Sequence, residues 1–390
     1  MSRLTSLALL GAVACLAACS APSPSQKLRA TAKVALAPTA PGPKGLAAVA
    51  PGAPPALSLS ASGPAINPAE ADMPAVAQAI NAAGFAPAVA APSKEIPSVS
   101  PTLVKVEVLL DRAGFSPGVI DGRGGDNLDR AIEAFSFARG LHWDGKLESA
   151  TWDALVGSDP GPAVRTYRIT EQDVAGPFIG APPKDYGEMA KLPSLAYSAP
   201  DQLLAERFHM DRRLLRSLNP DADFSKAGTT IIVTAPRDGP RDLQVARLEV
   251  DKTHEAIRAY DSANRLVAYY PASVGSEERP APSGIWAVKA VAPRPAYYYD
   301  PKRLTFAPLG ATGRLKIAAG PNNPVGSTWI GLTVPTYGIH GSPDPSLVGK
   351  RQSHGCVRLT NWDAAELGRS VKAGTQVSFV GDETRAGARV

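Results

Sequence analysis

Cysteine is nearly absent from this chain: its 390 residues include three, at positions 15, 19 and 356. A fold stapled by disulfides is therefore excluded, and with no Cys-X-X-Cys the usual spacing of a zinc site is missing as well. There is no dense block of lysine or arginine. A formal charge of +5 and an isoelectric point near 9.0 without such a block do not suggest nucleic acid. They suit an acidic polymer such as a cell wall, or a membrane surface, and serve equally well as a plain aid to solubility. The apolar run at 7–14 is too short to cross a bilayer as a helix. The length suffices for two or three domains, each able to bury a core.

The start of the chain reads as a targeting segment. Met1-Ser2-Arg3 supplies a charged region and residues 7–14 a short apolar run, the pattern of a signal peptide over residues 1–18. Leu16-Ala17-Ala18-Cys19 resembles a bacterial lipobox, which implies acylation of Cys19 as the first residue of the mature chain; ordinary cleavage after a nearby small residue is the alternative. Ser20 stands where Gram-negative lipoproteins held at the inner membrane typically carry aspartate, so the resemblance leans toward the outer membrane. With Cys15 lost and Cys19 lipidated, Cys356 is the one free thiol, and no internal disulfide competes for it. Residues 19–100 are rich in alanine and proline, with few charges and almost no aromatics. They read as a semi-rigid tether, with room for a short helix at 75–83.

From residue 101 the composition changes. Leu103, Val106, Leu110 and Ala113 recur at helical spacing before Gly114. Asn127 reads as the cap of a second helix carrying Leu128, Ala131, Ile132 and Phe135, and a third starts near Ser149 with Trp152 and Leu155. Together with Val119-Ile120-Asp121-Gly122, this segment, 101–157, resembles the peptidoglycan-binding type 1 domain, a small three-helix module. Next, 165–236 reads as strand, two helices and closing strand, from Tyr167-Arg168-Ile169-Thr170 to Thr229-Thr230-Ile231-Ile232-Val233. Leu203 to Phe208 with Leu218-Asn219-Pro220 resembles a divergent LysM domain, a βααβ glycan-binding module. An insertion at 177–195 departs from that compact repeat, which points to packing against the next domain as the alternative to glycan binding.

The densest chemistry lies near the end. Tyr337-Gly338-Ile339-His340-Gly341 is followed by Ser353-His354-Gly355-Cys356-Val357-Arg358-Leu359. A thiol, imidazoles and glycines that bare the backbone are what thiol-based acyl transfer requires. Cys356 is the candidate nucleophile, since an imidazole beside a thiol raises its reactivity. His354 shares a strand face with Cys356 by two-residue spacing, while the strand at 328–334 can deliver His340 from a neighbouring strand, and residue spacing alone leaves both open. The ligand types would also suit zinc, but no fourth ligand lies nearby, so no metal is expected.

These residues resemble the signature of the L,D-transpeptidase (YkuD-type) catalytic domain, as do Pro282-Ser283-Gly284-Ile285-Trp286, Asn323-Pro324-Val325-Gly326 and Asn361-Trp362-Asp363-Ala364-Ala365-Glu366-Leu367. The resemblance covers about 242–381 and implies a mostly β domain, a β-sandwich with the cysteine at a strand edge. It implies His340 as the base, the carbonyl of Gly341 orienting its ring, Ser353 and His354 in support, and the amides around Gly355 and Cys356 as oxyanion donors. Arg358 is a candidate for a substrate carboxylate, with a structural salt bridge as the alternative. Trp329 and Tyr337 are candidates for the wall of a stem-peptide groove, though core packing is the safer reading of both.

The expected protein is multidomain α+β: a three-helix bundle, a βααβ module and a mostly β catalytic domain. The resemblances imply a periplasmic, lipid-anchored L,D-transpeptidase that uses no cofactor. It would take peptidoglycan stem peptides, release the fourth-position D-alanine and form 3-3 crosslinks, or attach another amine such as a lipoprotein lysine. The alternatives are an L,D-carboxypeptidase or amidase with the same cysteine, and a non-catalytic anchor holding membrane to wall. The intact set of His340, Ser353, His354 and Cys356 argues against the anchor.

Overall fold

The computed structural model describes residues 73–85, 99–275, 279–302, 313–351 and 355–382. The expected signal peptide, Cys19 and most of the tether lie outside these residues, as do Ser353 and His354. Among the described residues, no helix is long and apolar enough to cross a membrane.

The short helix for which the tether left room at 75–83 is present. Helix α1 (Ala75–Ala82) buries Ala77 and Ile80 in a core shared with Val104 and Val108. Alanine lets the helix sit close to its neighbours, and Asn81 imitates a strand edge: its Nδ2 donates to Val164 O at 3.1 Å while Val164 N donates to its Oδ1 at 3.0 Å. Helix α2 (Pro101–Ala113) starts with proline in its first turn and a Ser100 cap, and ends at Gly114 with φ +93°. It is apolar on two sides. Leu103, Val106, Leu109 and Leu110 face one core, Val104 and Val108 the other. Helix α3 (Asp126–Ala138) has Gly125 at its N-cap, not Asn127. The buried Asn127 amide instead donates to Val348 O at 2.9 Å, a partner 221 residues away that no local capping rule anticipates. Helix α4 (Ser149–Ser158) buries Trp152 and Leu155.

The next segment is framed by β1 (Val164–Arg168) and β2 (Thr230–Thr234), paired antiparallel with Tyr167 opposite Ile231. Between them lie α5 (Glu171–Val174), α6 (Tyr186–Lys191), α7 (Pro200–Arg207) and α8 (Arg212–Leu218). Its core of Tyr167, Leu204, Phe208, Leu215 and Ile232 is continuous with α1 and one side of α2.

The remaining strands are β3 (Arg247–Asp251), β4 (Ala256–Tyr260), β5 (Leu266–Pro271), β6 (Gly284–Pro293), β7 (Tyr297–Tyr299), β8 (Leu315–Ile317), β9 (Thr328–Leu332), β10 (Gly338–His340), β11 (Val357–Arg358) and β12 (Gln376–Val380), with α9 (Asn361–Ser370) between the last two. Eight of them form one mixed sheet in the order β11-β10-β9-β6-β12-β3-β4-β5, and β7 pairs with β8. The expected sandwich of two sheets is corrected to a single curled sheet. Strand β6 pairs with β12 through its first half and β9 through its second, with a register shift between Val288 and Ala290 that bends it. The sheet then folds back on itself, so that Ser273, just past β5, exchanges both main-chain hydrogen bonds with Arg358 of β11 at 2.9 and 3.0 Å. Leu248, Val250 and Ile257 thereby share one core with Ile330, Ile339, Val357 and Leu367 of α9.

Candidate active site

The site follows from strand alternation. Ile339 and Val357 pair in register on the parallel strands β10 and β11, and both are fully buried in the core. The next residue of each strand, His340 and Arg358, also form a pair and so leave the sheet on the other face. Cys356 immediately precedes β11. On the other side of β10, Trp329 of β9 is the partner of His340, and its indole stacks on the imidazole with ring centroids 5.5 Å apart and planes 16° apart. Gly338 makes that approach possible, because a Cβ there would meet the Trp329 indole at 2.5 Å.

His340 is buried and its Nδ1 lies 2.7 Å from Gly341 O. A carbonyl only accepts, so Nδ1 carries the proton and Nε2 is left as a lone-pair acceptor. Burial, helped by the charge of Arg358, lowers the imidazole to about 4. The half-buried Cys356 thiol is shifted the other way. Burial raises it above the ordinary cysteine value, only partly offset by a hydrogen bond from the Gly338 main chain and by Arg358. Burial thus favours the uncharged form of each group, thiol and imidazole alike.

Three tyrosines that the sequence reading did not single out cover this face. Tyr297 and Tyr299 share one side of β7 by alternation, while Tyr298 between them is exposed. Tyr186 of α6 packs edge-on against both, at 6.0 and 6.2 Å. Its phenol and that of Tyr297 lie within the field of the Arg358 guanidinium, and Tyr297 also within that of Cys356. The signal for the β7 pair was available as three consecutive tyrosines with period two. For Tyr186 there was none, since it lies more than a hundred residues upstream. It arrives through the 177–195 insertion, which packs on the loop between β8 and β9: Leu195 N donates to Ala319 O at 3.0 Å and Asn322 N to Leu195 O at 3.0 Å.

Of the residues singled out in sequence, the structure gathers His340, Gly341, Cys356, Arg358 and Trp329. Gly355 has φ +125°, a conformation that favours glycine. Tyr337 is elsewhere. It shares the core face of β10 with Ile339 and packs edge-on against Phe379 at 5.7 Å, so it does not line a groove beside His340.

Comparison with known proteins bears on the family of the chain. Residues 246–378 match the family model described as the L,D-transpeptidase catalytic domain, and residues 100–155 match a putative peptidoglycan binding domain. The chain is 31% identical over 178 residues to the putative L,D-transpeptidase YkuD of Bacillus licheniformis, which is 45% of this chain and 90% of that protein. It is 27% identical over 194 residues to the probable L,D-transpeptidase YbiS of Escherichia coli, covering 48% of this chain and 62% of that one. Among solved structures, an L,D-transpeptidase from Xylanimonas cellulosilytica aligns over 75% of this chain and 98% of its own, at 16% identity and a TM-score of 0.32. With a relative matched over nine-tenths of its length, the chain belongs to the L,D-transpeptidase family of enzymes, with a peptidoglycan-binding domain ahead of the catalytic one.

Proposed function

We propose that this L,D-transpeptidase acts on peptidoglycan stem peptides with Cys356 as nucleophile and His340 as base. The observation that carries this is the fixed tautomer of His340, whose Nδ1 is held by Gly341 O on the sheet face shared with Arg358, two residues after Cys356. As Sγ bonds to the carbonyl carbon between the third stem residue and D-alanine, its proton passes to Nε2. The C–N bond then breaks and the proton goes to the departing D-alanine amine, leaving a thioester on Cys356. The second amine attacks that thioester, gives its proton to His340, and the thiol is restored as the new amide forms. The main-chain amides around Gly355 and Cys356 face the carbonyl oxygen as charge develops on it. Arg358, with the phenols of Tyr186 and Tyr297 nearby, holds a substrate carboxylate.

The accessory parts support a wall-bound enzyme. Residues 101–157 are assigned to wall binding. Residues 165–236 are assigned to a LysM-like glycan module, a reading supported by the antiparallel β1–β2 pair that encloses α7 and α8 along with the shorter α5 and α6, and by a groove of about 390 Å³ lined by Pro200, Asp201, Asn219 and Phe224. Residues 242–381 are the catalytic unit, and Cys19, outside the described residues, carries the lipid that holds the protein at the outer membrane, facing the periplasm. Mass spectrometry of the N-terminal peptide tests the anchor: an unmodified Cys19 removes it.

The decisive assay for the chemistry is incubation with defined tetrapeptide muropeptides, with and without a competing amine, and weighing of the products. D-Alanine release with an amine adduct supports transpeptidation. Release with water as the only acceptor makes the enzyme an L,D-carboxypeptidase.

A further inference from the structure

The buried carboxyl of Glu206 lies outside the catalytic sheet, in the last turn of α7, yet it is bonded to the residue that abuts the histidine's anchor. Its Oε1 accepts from Tyr197 OH at 2.9 Å and its Oε2 from Asn361 Nδ2 at 3.0 Å. Asn361 opens α9, and each of its amide valences is occupied. The second Nδ2 hydrogen goes to Pro321 O at 3.2 Å, and Oδ1 accepts from Ser327 N at 3.0 Å. Gly341 lies directly on this amide, so closely that a Cβ at 341 would collide with Asn361 Oδ1. The carbonyl of that same Gly341 holds His340 Nδ1.

We propose that Glu206 is a positioning residue for the catalytic histidine, acting through the Asn361 amide on the Gly341 segment that anchors the imidazole. The inference rests on the reading of Cys356 and His340 given above. An acceptor at 206 fixes which way the Asn361 amide points, and with it the surface on which Gly341 sits. Without that acceptor a buried N–H is left unsatisfied, and the amide turns to find another partner. The groups facing Glu206 are Tyr197 from the preceding loop, Asn361 from α9, and the more distant His209 just past α7. Burial raises the carboxyl to about 7, so a neutral side chain that keeps a carbonyl acceptor substitutes well for it. The LysM-like segment is on this view part of the catalytic centre as well as an accessory.

The test uses the full chain and four variants: Glu206→Ala, Glu206→Gln, Asn361→Ala and the double alanine. Two rates are measured: kcat and KM for D-alanine release from a tetrapeptide, and alkylation of Cys356 by iodoacetamide, read by mass spectrometry without any substrate. Because small misplacements of a catalytic group are costly, Glu206→Ala and Asn361→Ala should each lower kcat and the alkylation rate by about tenfold or more, with KM within about twofold. Residues acting as one unit are non-additive, so the double variant should be no slower than the worse single one. Glu206→Gln, which keeps an acceptor facing Asn361, should recover to within about threefold. Wild-type rates in Glu206→Ala overturn the proposal, as do losses that multiply in the double variant, or Glu206→Gln as slow as Glu206→Ala. If Glu206→Ala does not fold, wild-type rates in Asn361→Ala overturn it instead. Full D-alanine release by Cys356→Ser would show that the nucleophile reading is the one at fault, while the alkylation rates still report on Glu206.

Discussion

The two small modules meet the catalytic sheet in opposite ways. Helices α2 to α4 merge their core with it: Leu110, Phe115 and Phe135 pack with Ala256, Leu266 and Tyr269, and the chain after α2 runs along β5 with Ser116 N donating to Tyr269 O at 2.9 Å. The 165–236 segment keeps its core to itself and the helices before it. It meets the catalytic domain at α9, β7 and the loop after β8, through contacts of fixed geometry: Glu206 to Asn361, Gln202 to Asn322, Leu195 to Ala319, the Tyr186 ring, and His209 stacked on Trp362. Apolar contact is non-directional and sets how stably parts adhere, whereas satisfied buried hydrogen bonds set where atoms sit. The first junction should therefore govern stability and the second the geometry of the site.

The comparison has its sharpest baseline in the site itself. Cys356→Ser should abolish D-alanine release with unchanged thermal unfolding, and His340→Ala should lower release by roughly 10²–10⁴-fold. Against that, Phe115→Ala in the apolar junction should cost about 3–5 kcal/mol of stability, measured by denaturant unfolding, while the folded protein keeps its kcat. A large loss of kcat there would break the division. At the polar junction, Tyr186→Ala should leave stability nearly unchanged and raise KM for the tetrapeptide by about fivefold, equivalent to roughly 1 kcal/mol of lost contact.

A smaller effect concerns pH. Asp363 at the start of α9 accepts from Ser116 Oγ at 2.9 Å, and burial raises its carboxyl to about 8. Folded protein then retains a proton that unfolded protein gives up near the ordinary aspartate value. Its contribution is complete below that value and is lost as pH rises toward 8. Glu206 acts in the same sense up to about 7. The melting temperature should decline between pH 5 and 8, and Asp363→Asn should flatten that decline.

Much of the site was legible because its chemistry is local. Cys356 and Arg358 lie two residues apart, and His340 is followed at once by the glycine whose carbonyl orients it. The strands were legible from alternation, as at Leu248 and Val250. What could not be read were contacts between residues far apart in sequence. Asn127 looks like a helix cap until its partner at Val348 is known, and nothing around Glu206 or Tyr186 signals a catalytic strand more than a hundred residues away. Tyr337 takes the core-packing alternative, because alternation puts it on the side of Ile339, which faces the core. The sandwich became a curled sheet because the bend in β6 arises from a register shift between partners, visible only once β9 and β12 are both in place.

The most direct test of Cys356 as the nucleophile is intact-protein mass spectrometry during turnover. A tetrapeptide stem donor is mixed with the full chain, without an amine acceptor, and quenched in acid. Capture of a thioester should add the donor mass less D-alanine, located on Cys356 and absent from Cys356→Ser. It should accumulate at least a hundredfold more slowly in His340→Ala, the low end of what a lost general base costs. D-Alanine release with no adduct on Cys356, and at an undiminished rate in Cys356→Ser, would contradict it.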